Sequence, residues 1–289
     1  MAVDAAELTT ELAGLDALET DIRVTRSFAA RLWSRLWPKL AALALVVGIW
    51  QAVVWSHWRP EYTFPGPKTV GSTLFDLVKT GAFWRAVLRT AKRAIGGYAA
   101  SVVIGGVLGA LVAAVKPLRT AVGALITGLQ TMPSIVWFPL AVLLFKLSES
   151  AIAFVVIMGA APAIANGLIN GIDHVPPLLL RAGRVLGASG VRLFRHVILP
   201  AALPSVLGGL KQAWAFAWRS LMAAELLAPT LGKSLGSQLE FARNNNDAPG
   251  LFAMMVVLLA VGLLVDSGFG AADNALRRRW GLVDTATAR

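Results

Sequence analysis

The sequence predicts an all-α membrane protein with about six transmembrane helices. Three observations carry that prediction. Hydrophobic residues make up 56% of the 289-residue chain and charged residues only 15%, with a mean hydropathy of +0.66, a balance that water-soluble domains do not show. The apolar residues fall in blocks of roughly 20, the length one helix needs to cross the hydrocarbon of a bilayer. Between the blocks lie short loops with basic clusters, the residues that orient a membrane protein.

Residues 1–37 read as a cytoplasmic N-terminal tail. Its acidic residues Asp4, Glu7, Glu11, Asp16, Glu19 and Asp21 precede Arg23, Arg26, Arg31 and Arg35, the reverse of a signal peptide's basic start and apolar centre. Residues 38–93 form the first span and an external amphipathic segment. The span covers 38–55 and ends in Trp50, Trp55 and Trp58, a rim suited to the headgroup level. A Pro/Gly loop, RPEYTFPGPKTV, then leads to the amphipathic stretch 70–93.

Residues 94–270 form the core. The second span, 94–115, carries Gly96, Gly97, Gly105, Gly106 and Gly109, which let neighbouring helices approach closely. A KPLR hinge separates it from the third span, 120–145, which is expected to kink at Pro133. The fourth, 151–172, is expected to kink at Pro162. A polar loop at 173–200 precedes the fifth span at 201–228, and the sixth covers 251–270. Residues 271–289, with Arg277, Arg278 and Arg279, form a cytoplasmic C-terminal tail. The bias of Lys and Arg places both termini, the hinge and the 173–200 loop on the cytoplasmic side.

Composition also excludes chemistry. With no cysteine, disulfides, thiolate metal sites and cysteine nucleophiles are absent. A formal charge of +11 would fit nucleic acid, but the lipid-like blocks between the clusters assign it to orientation and headgroup contact. His57, His174 and His196 lie in or beside loops without a metal-binding or catalytic pattern. The Gly-Lys-Ser of LGKSLGS lacks the earlier glycine and preceding strand of a phosphate loop. No catalytic or metal-ligating residue is assigned, and no cofactor to this chain.

The loop reads LRAGRVLGASGVRLFRHVILP over residues 180–200. Its pattern is a short helix, a Gly-Ala-Ser break and a second helix, with Leu186, Val191, Leu193 and Phe194 as apolar ridges among Arg184, Arg192, Arg195 and His196. Pro200 suits the first turn of the next helix. Such a segment fits docking to a soluble partner, and equally a basic loop that fixes topology.

The spacing of this loop resembles the coupling loop of permease subunits in binding-protein-dependent ABC importers: Glu-Ala-Ala, three residues, Gly, nine residues, Ile, any residue, Leu-Pro. Here Arg181, Ala182 and Gly183 stand at the Glu-Ala-Ala positions, followed by Gly187, Ala188, Val197, Leu199 and Pro200. Arg181 replaces the glutamate and Gly183 the second alanine. Beyond the loop, FPGPKTV, TMPSIVWFPLAVLLFKLSES and AFAWRSLMAAELL are similar to segments of the nitrate, taurine and aliphatic-sulfonate branch, with Lys146 and Leu147 where that branch usually has glycine. The resemblance implies a type I ABC importer permease fold and a dimeric pore in the bacterial inner membrane. It implies two ATP-binding subunits carrying ATP and magnesium, and a periplasmic or lipid-anchored solute-binding protein. The solute it favours is a small anion such as nitrate, taurine, an alkyl sulfonate or bicarbonate, although relatives of similar appearance carry neutral or heterocyclic solutes.

Ionisable residues inside a span cost about 2.5 to 3.5 kcal/mol at its centre on insertion scales. Arg219 and Glu225 of the fifth span are six residues apart and off one another's face, so each is expected to find a partner elsewhere. Either they line the translocation path, with Arg219 favouring anions, or they form buried pairs with other helices. Gln130, Asn166 and Gln212 are candidates for the same path, and Asn170 is a further amide in the fourth span. Interhelical hydrogen bonding is the alternative use of all four. Arg85, Arg89, Lys92 and Arg93 share one helical face, an external basic surface for concentrating anions or for binding lipid phosphate. The rival to the importer is an ion-coupled secondary transporter or channel that works without an ATPase, and a weaker rival is a membrane-embedded enzyme.

Overall fold

The computed structural model describes residues 28–279, and among these it is helical with no strand. The acidic tail 1–27 and residues 280–289 lie outside the described residues. Contacts divide the chain into two units, Met1–Trp58 and Arg59–Arg289. The first contains α1 (Phe28–Trp55), which carries Pro38 within it and whose apolar window Leu36–Trp55 is long enough to cross a membrane.

The second unit starts with α2 (Pro67–Lys79), α3 (Gly81–Ala114) and α4 (Lys116–Thr131), then a 3-10 turn (Ser134–Val136) and α5 (Trp137–Phe145). There follow α6 (Glu149–Asp173), α7 (Pro177–Val185), α8 (Gly190–Leu193), a π-helical turn (Phe194–Ile198) and α9 (Leu199–Leu227). A 3-10 turn (Pro229–Leu231), α10 (Leu235–Asn244) and α11 (Ala248–Arg279) close the described chain. Among the described residues, five helices are long and apolar enough to span a membrane, or six if the sharply bent pair Pro117–Thr131 and Ser134–Phe145 counts as one.

One span boundary and the sharpness of one expected kink differ from the sequence expectation. The amphipathic stretch 70–93 divides at Thr80, whose hydroxyl caps α3 by accepting from the Phe83 amide at 3.3 Å. Its second half continues into the second span as one helix of 34 residues, about 51 Å long against roughly 30 Å of hydrocarbon. The charged first third of α3 therefore lies beyond the apolar stretch. The third span breaks at Met132–Pro133. Met132 is held extended, at φ −76° and ψ 131°, because the following proline ring crowds the helical conformation.

Helix α6 is the centre of the unit, flanked by α3 and α9. Its buried residues include Ala151, Val155, Val156, Ala160, Ala161, Ile164 and Ala165, and the approach on both sides depends on glycine. A Cβ on Gly97 would meet Val156 at 2.8 Å, one on Gly109 would meet the Ala165 carbonyl at 2.8 Å, and one on Gly167 would meet the Gly209 Cα at 2.7 Å. Where lipid removes the hydrophobic drive for helix association, this close contact supplies it through van der Waals packing. An aromatic cluster, with Tyr98 edge-on to Trp214 at 5.2 Å and Phe269 beside both, joins α3, α9 and α11.

Candidate functional site

Two regions of the bundle carry the sequence-predicted site residues, and they sit at opposite ends. Asp173 ends α6 where the 173–200 segment leaves, whereas Glu149 begins it, about 36 Å away along the helix.

The 173–200 segment is a pair of short helices closed by glycines. Helix α7 starts on a proline and ends in a Schellman turn, with Gly187 N–H donating to the Arg184 carbonyl at 3.0 Å and Ala188 N–H to the Gly183 carbonyl at 2.9 Å. Gly187 takes the left-handed φ of +79° that this turn requires. The buried Gly183 has the other role. A Cβ there would meet Leu193 at 2.8 Å and Val197 at 2.9 Å, so its lack of a side chain lets α7 close on the turn leading into α9. The departure from alanine at this position thus has a packing reason. Leu199 and Pro200 start α9, with the proline in its first turn.

Packing leaves an apolar knuckle outside. Val185 is 87% exposed, Leu186 86% and Val191 80%. Arg181, Ala182, Arg184, Arg192, Arg195 and His196 are exposed around it, and no ion pair engages these cations among the described residues. Leu193, expected as an exposed ridge, instead turns toward Gly183. Arg119, which pairs with Asp173, ties the start of α4 to the end of α6 at this end of the bundle. Lys211 pairs with Asp266 at 3.1 Å.

At the other end lies a charged node. Glu225, placed by sequence among the candidates for the translocation path, is fully buried and bound on three sides. Thr90 Oγ1 donates to its Oε2 at 2.9 Å, Gly236 N–H donates to the same oxygen at 3.1 Å, and Arg93 Nη1 donates to Oε1 at 2.9 Å. It occupies a polar knot between α3, α9 and α10 rather than an open path. Such an arrangement satisfies a buried carboxylate, which would otherwise be costly. Gly236 permits it, since a Cβ there would press on Glu225 Cβ at 2.5 Å.

Arg93 likewise leaves the basic face on which its spacing placed it. Its side chain is 8% exposed and holds both oxygens of Glu149, with Nε to Oε2 at 2.7 Å and Nη2 to Oε1 at 2.6 Å. Nη2 also donates to the Leu231 carbonyl at 3.0 Å, which Arg89 reaches at 2.9 Å. Gly232, at φ +93°, makes room for Arg89, whose guanidinium occupies the space a Cβ would take. Arg85, Arg89 and Lys92 remain exposed. Together with Leu88, Arg93, Glu149, Gly232 and Lys233 they line a cavity of about 640 Å³.

The remaining candidates separate. Gln130 donates to the Ile126 and Pro162 carbonyls at 3.5 and 3.4 Å, a bridge from α4 to α6. Asn166 accepts from Asn170 at 3.3 Å within α6. Gln212 and Arg219 do come together on one exposed strip of α9 with Ser205, Gly208 and Ala215. Arg219 finds its partners within α9, donating to the Ala215 carbonyl at 3.0 Å and lying 4.9 Å over the Phe216 ring. Sequence reasoning missed Thr90, Glu149, Gly232 and Gly236. Among the described residues, no group of three or more His, Asp or Glu side chains could hold a metal ion.

The profile of the binding-protein-dependent transport system inner membrane component family matches residues 80–278. A putative ABC transporter permease protein of Methanocaldococcus jannaschii is 29% identical over 234 residues, covering 80% of this chain and 87% of that protein. A putative aliphatic sulfonates transport permease protein of Bacillus subtilis is 28% identical over 232 residues, covering 80% and 83%. Among solved structures, an inward-facing MetNI methionine ABC transporter superposes with a TM-score of 0.57 at 21% identity, covering 68% of this chain and 96% of that one.

Proposed function

Because the chain belongs to the binding-protein-dependent transport system inner membrane component family, we propose that it forms the translocation path of an ATP-driven importer for a small anion and couples to the ATPase through residues 173–200. The observation that carries the coupling is the exposed Val185, Leu186 and Val191 knuckle ringed by arginines. An apolar ridge with a charged rim on a rigid helical pair fits a groove in a soluble protein. ATP and magnesium then belong to two copies of a separate ATP-binding subunit. A second copy of this chain completes the pore, and a periplasmic or lipid-anchored binding protein delivers solute. In this reading the chain sits in a bacterial inner membrane with both termini cytoplasmic, and the cavity lined by Arg85 and Arg89 faces outward.

The anion preference draws on three features: the cations at that outward cavity, Arg219 on the exposed strip of α9, and the sulfonate named for the Bacillus subtilis relative. The strip is the surface on which a polar path would run, since its residues are small or polar within an apolar span.

The test is affinity purification of the chain from its own membranes in mild detergent, with mass spectrometry of the eluate and its ATPase activity. Wild type is expected to bring an ATP-binding subunit and a binding protein. The Val185→Asp/Leu186→Asp variant, altered only at exposed positions, is expected to lose the ATP-binding subunit while retaining wild-type abundance. A wild-type chain that recovers no ATPase across several detergents would overturn the proposal in favour of a secondary transporter.

A further inference from the structure

We propose that the cavity opposite the coupling segment is an oxyanion-binding site in which a sulfonate- or phosphate-type group displaces Glu149 from the guanidinium fork of Arg93. The inference rests on the anion reading for the solute and is independent of how the chain couples to an ATPase.

The two carboxylates on Arg93 are held very differently. Glu225 is fully buried and takes donors from Thr90, Gly236 and Arg93. Glu149 has a side chain 62% exposed, and its hydrogen bonds are both to Arg93. Nothing else anchors its oxygens among the described residues. Glu225 is therefore the fixed counter-ion, and Glu149 occupies a fork that opens into the cavity.

A bidentate guanidinium accepts any pair of oxygens at carboxylate spacing, which sulfonate and phosphate groups also present. The surroundings favour the exchange. Five cations, Arg85, Arg89, Lys92, Arg93 and Lys233, line the cavity against the single carboxylate of Glu149. Arg85, Lys92 and Lys233 are in no ion pair among the described residues. A concave surface with such an excess of one sign concentrates counter-ions. At about 640 Å³, the space also lies within the range of small-molecule sites. When the incoming anion takes the fork, the Glu149 side chain is freed to solvent, while the first turn of α6 stays held by the Ser148 cap and the buried Ala151 and Ile152.

The experiment is titration of methanesulfonate into the full chain in phosphatidylcholine nanodiscs at low salt, followed by calorimetry. Wild type is expected to bind saturably. Glu149→Gln, which removes the competing carboxylate and keeps its shape, is expected to bind roughly fivefold tighter. Arg85→Gln/Lys92→Gln is expected to bind roughly tenfold more weakly and with less salt dependence. Arg93→Gln/Glu225→Gln, which leaves no buried charge unpaired, is expected to abolish binding. Nanodiscs containing phosphatidylglycerol separate the two sources of oxyanion: methanesulfonate binding unchanged there identifies a free solute site, and competition by the lipid identifies a headgroup site on the same fork. Absence of saturable binding together with no retention of phosphatidylglycerol would overturn the site. Binding that is no tighter in Glu149→Gln would overturn the exchange. ATPase copurification, read separately, reports on the importer assignment alone.

Discussion

Removing the Glu225 carboxylate is the perturbation whose outcome follows most directly from the geometry. In Glu225→Ala, the 8%-exposed Arg93 side chain loses its buried counter-ion, and the Thr90 hydroxyl and Gly236 amide lose their acceptor. Breaking a buried pair from one side costs about 3 to 5 kcal/mol when the surviving charge is left unpaired, and because Glu149 still holds Arg93 the expected cost is the lower end, about 3 kcal/mol. Glu149→Ala removes the other carboxylate of the same guanidinium, but from an exposed position, so its cost is expected below about 1 kcal/mol. Arg93→Ala is expected to match Glu225→Ala. The double variant Arg93→Ala/Glu225→Ala is expected to fall short of the summed single costs by about 1 to 3 kcal/mol, since no lone charge remains. The assay is reversible unfolding in mixed micelles with increasing denaturing detergent, read by tryptophan fluorescence, across the full double-mutant cycle. Strict additivity of Arg93 and Glu225, or a cost for Glu149→Ala equal to that of Glu225→Ala, would refute the distinction between a fixed and an exchangeable carboxylate.

Two further expectations come from backbone geometry. Lys146 ends α5 at φ +56° and ψ −166°, a region almost reserved for glycine that costs a residue with a side chain about 1 to 3 kcal/mol. Lys146→Gly is therefore expected to stabilise the chain by up to that amount in the same assay, and a destabilised variant would contradict the assignment of strain there. Gly167→Leu drives a side chain into the Gly209 backbone at the α6 to α9 crossing. It is expected to cost about 3 kcal/mol or more through forced separation of two packed helices, visible as loss of monodisperse protein on size exclusion. Wild-type behaviour would mean the helices do not meet as described.

The same lysine shows how the reading by residue and the reading by structure meet. In the importer branch this chain resembles, glycine usually stands near Lys146, and the positive φ found there supplies the reason. Gly187 is a similar case: its spacing in the loop pattern matches a helix C′ position that only the left-handed region fits. Such features were legible because they are local, set by a few consecutive residues and their own torsions.

Hydropathy and helical periodicity determined the broad architecture: the apolar helices, the polar segment at 173–200 and the small-residue face of the second span. Each depends on repeats within one element, and the membrane leaves the backbone few alternatives to a helix. Periodicity could also place Arg93 on a face with Arg85, Arg89 and Lys92, but it could not say what would cover that face. Glu149 lies 56 residues from Arg93 and Glu225 lies 132 residues away. Only the packing of α3 against α6, α9 and the turn before α10 turned one of four similar cations into the centre of a buried knot. The other three were left lining the cavity at its edge. A charge's solvation and partners are properties of what surrounds it in space, and in this protein that surrounding is built by segments the sequence holds far apart.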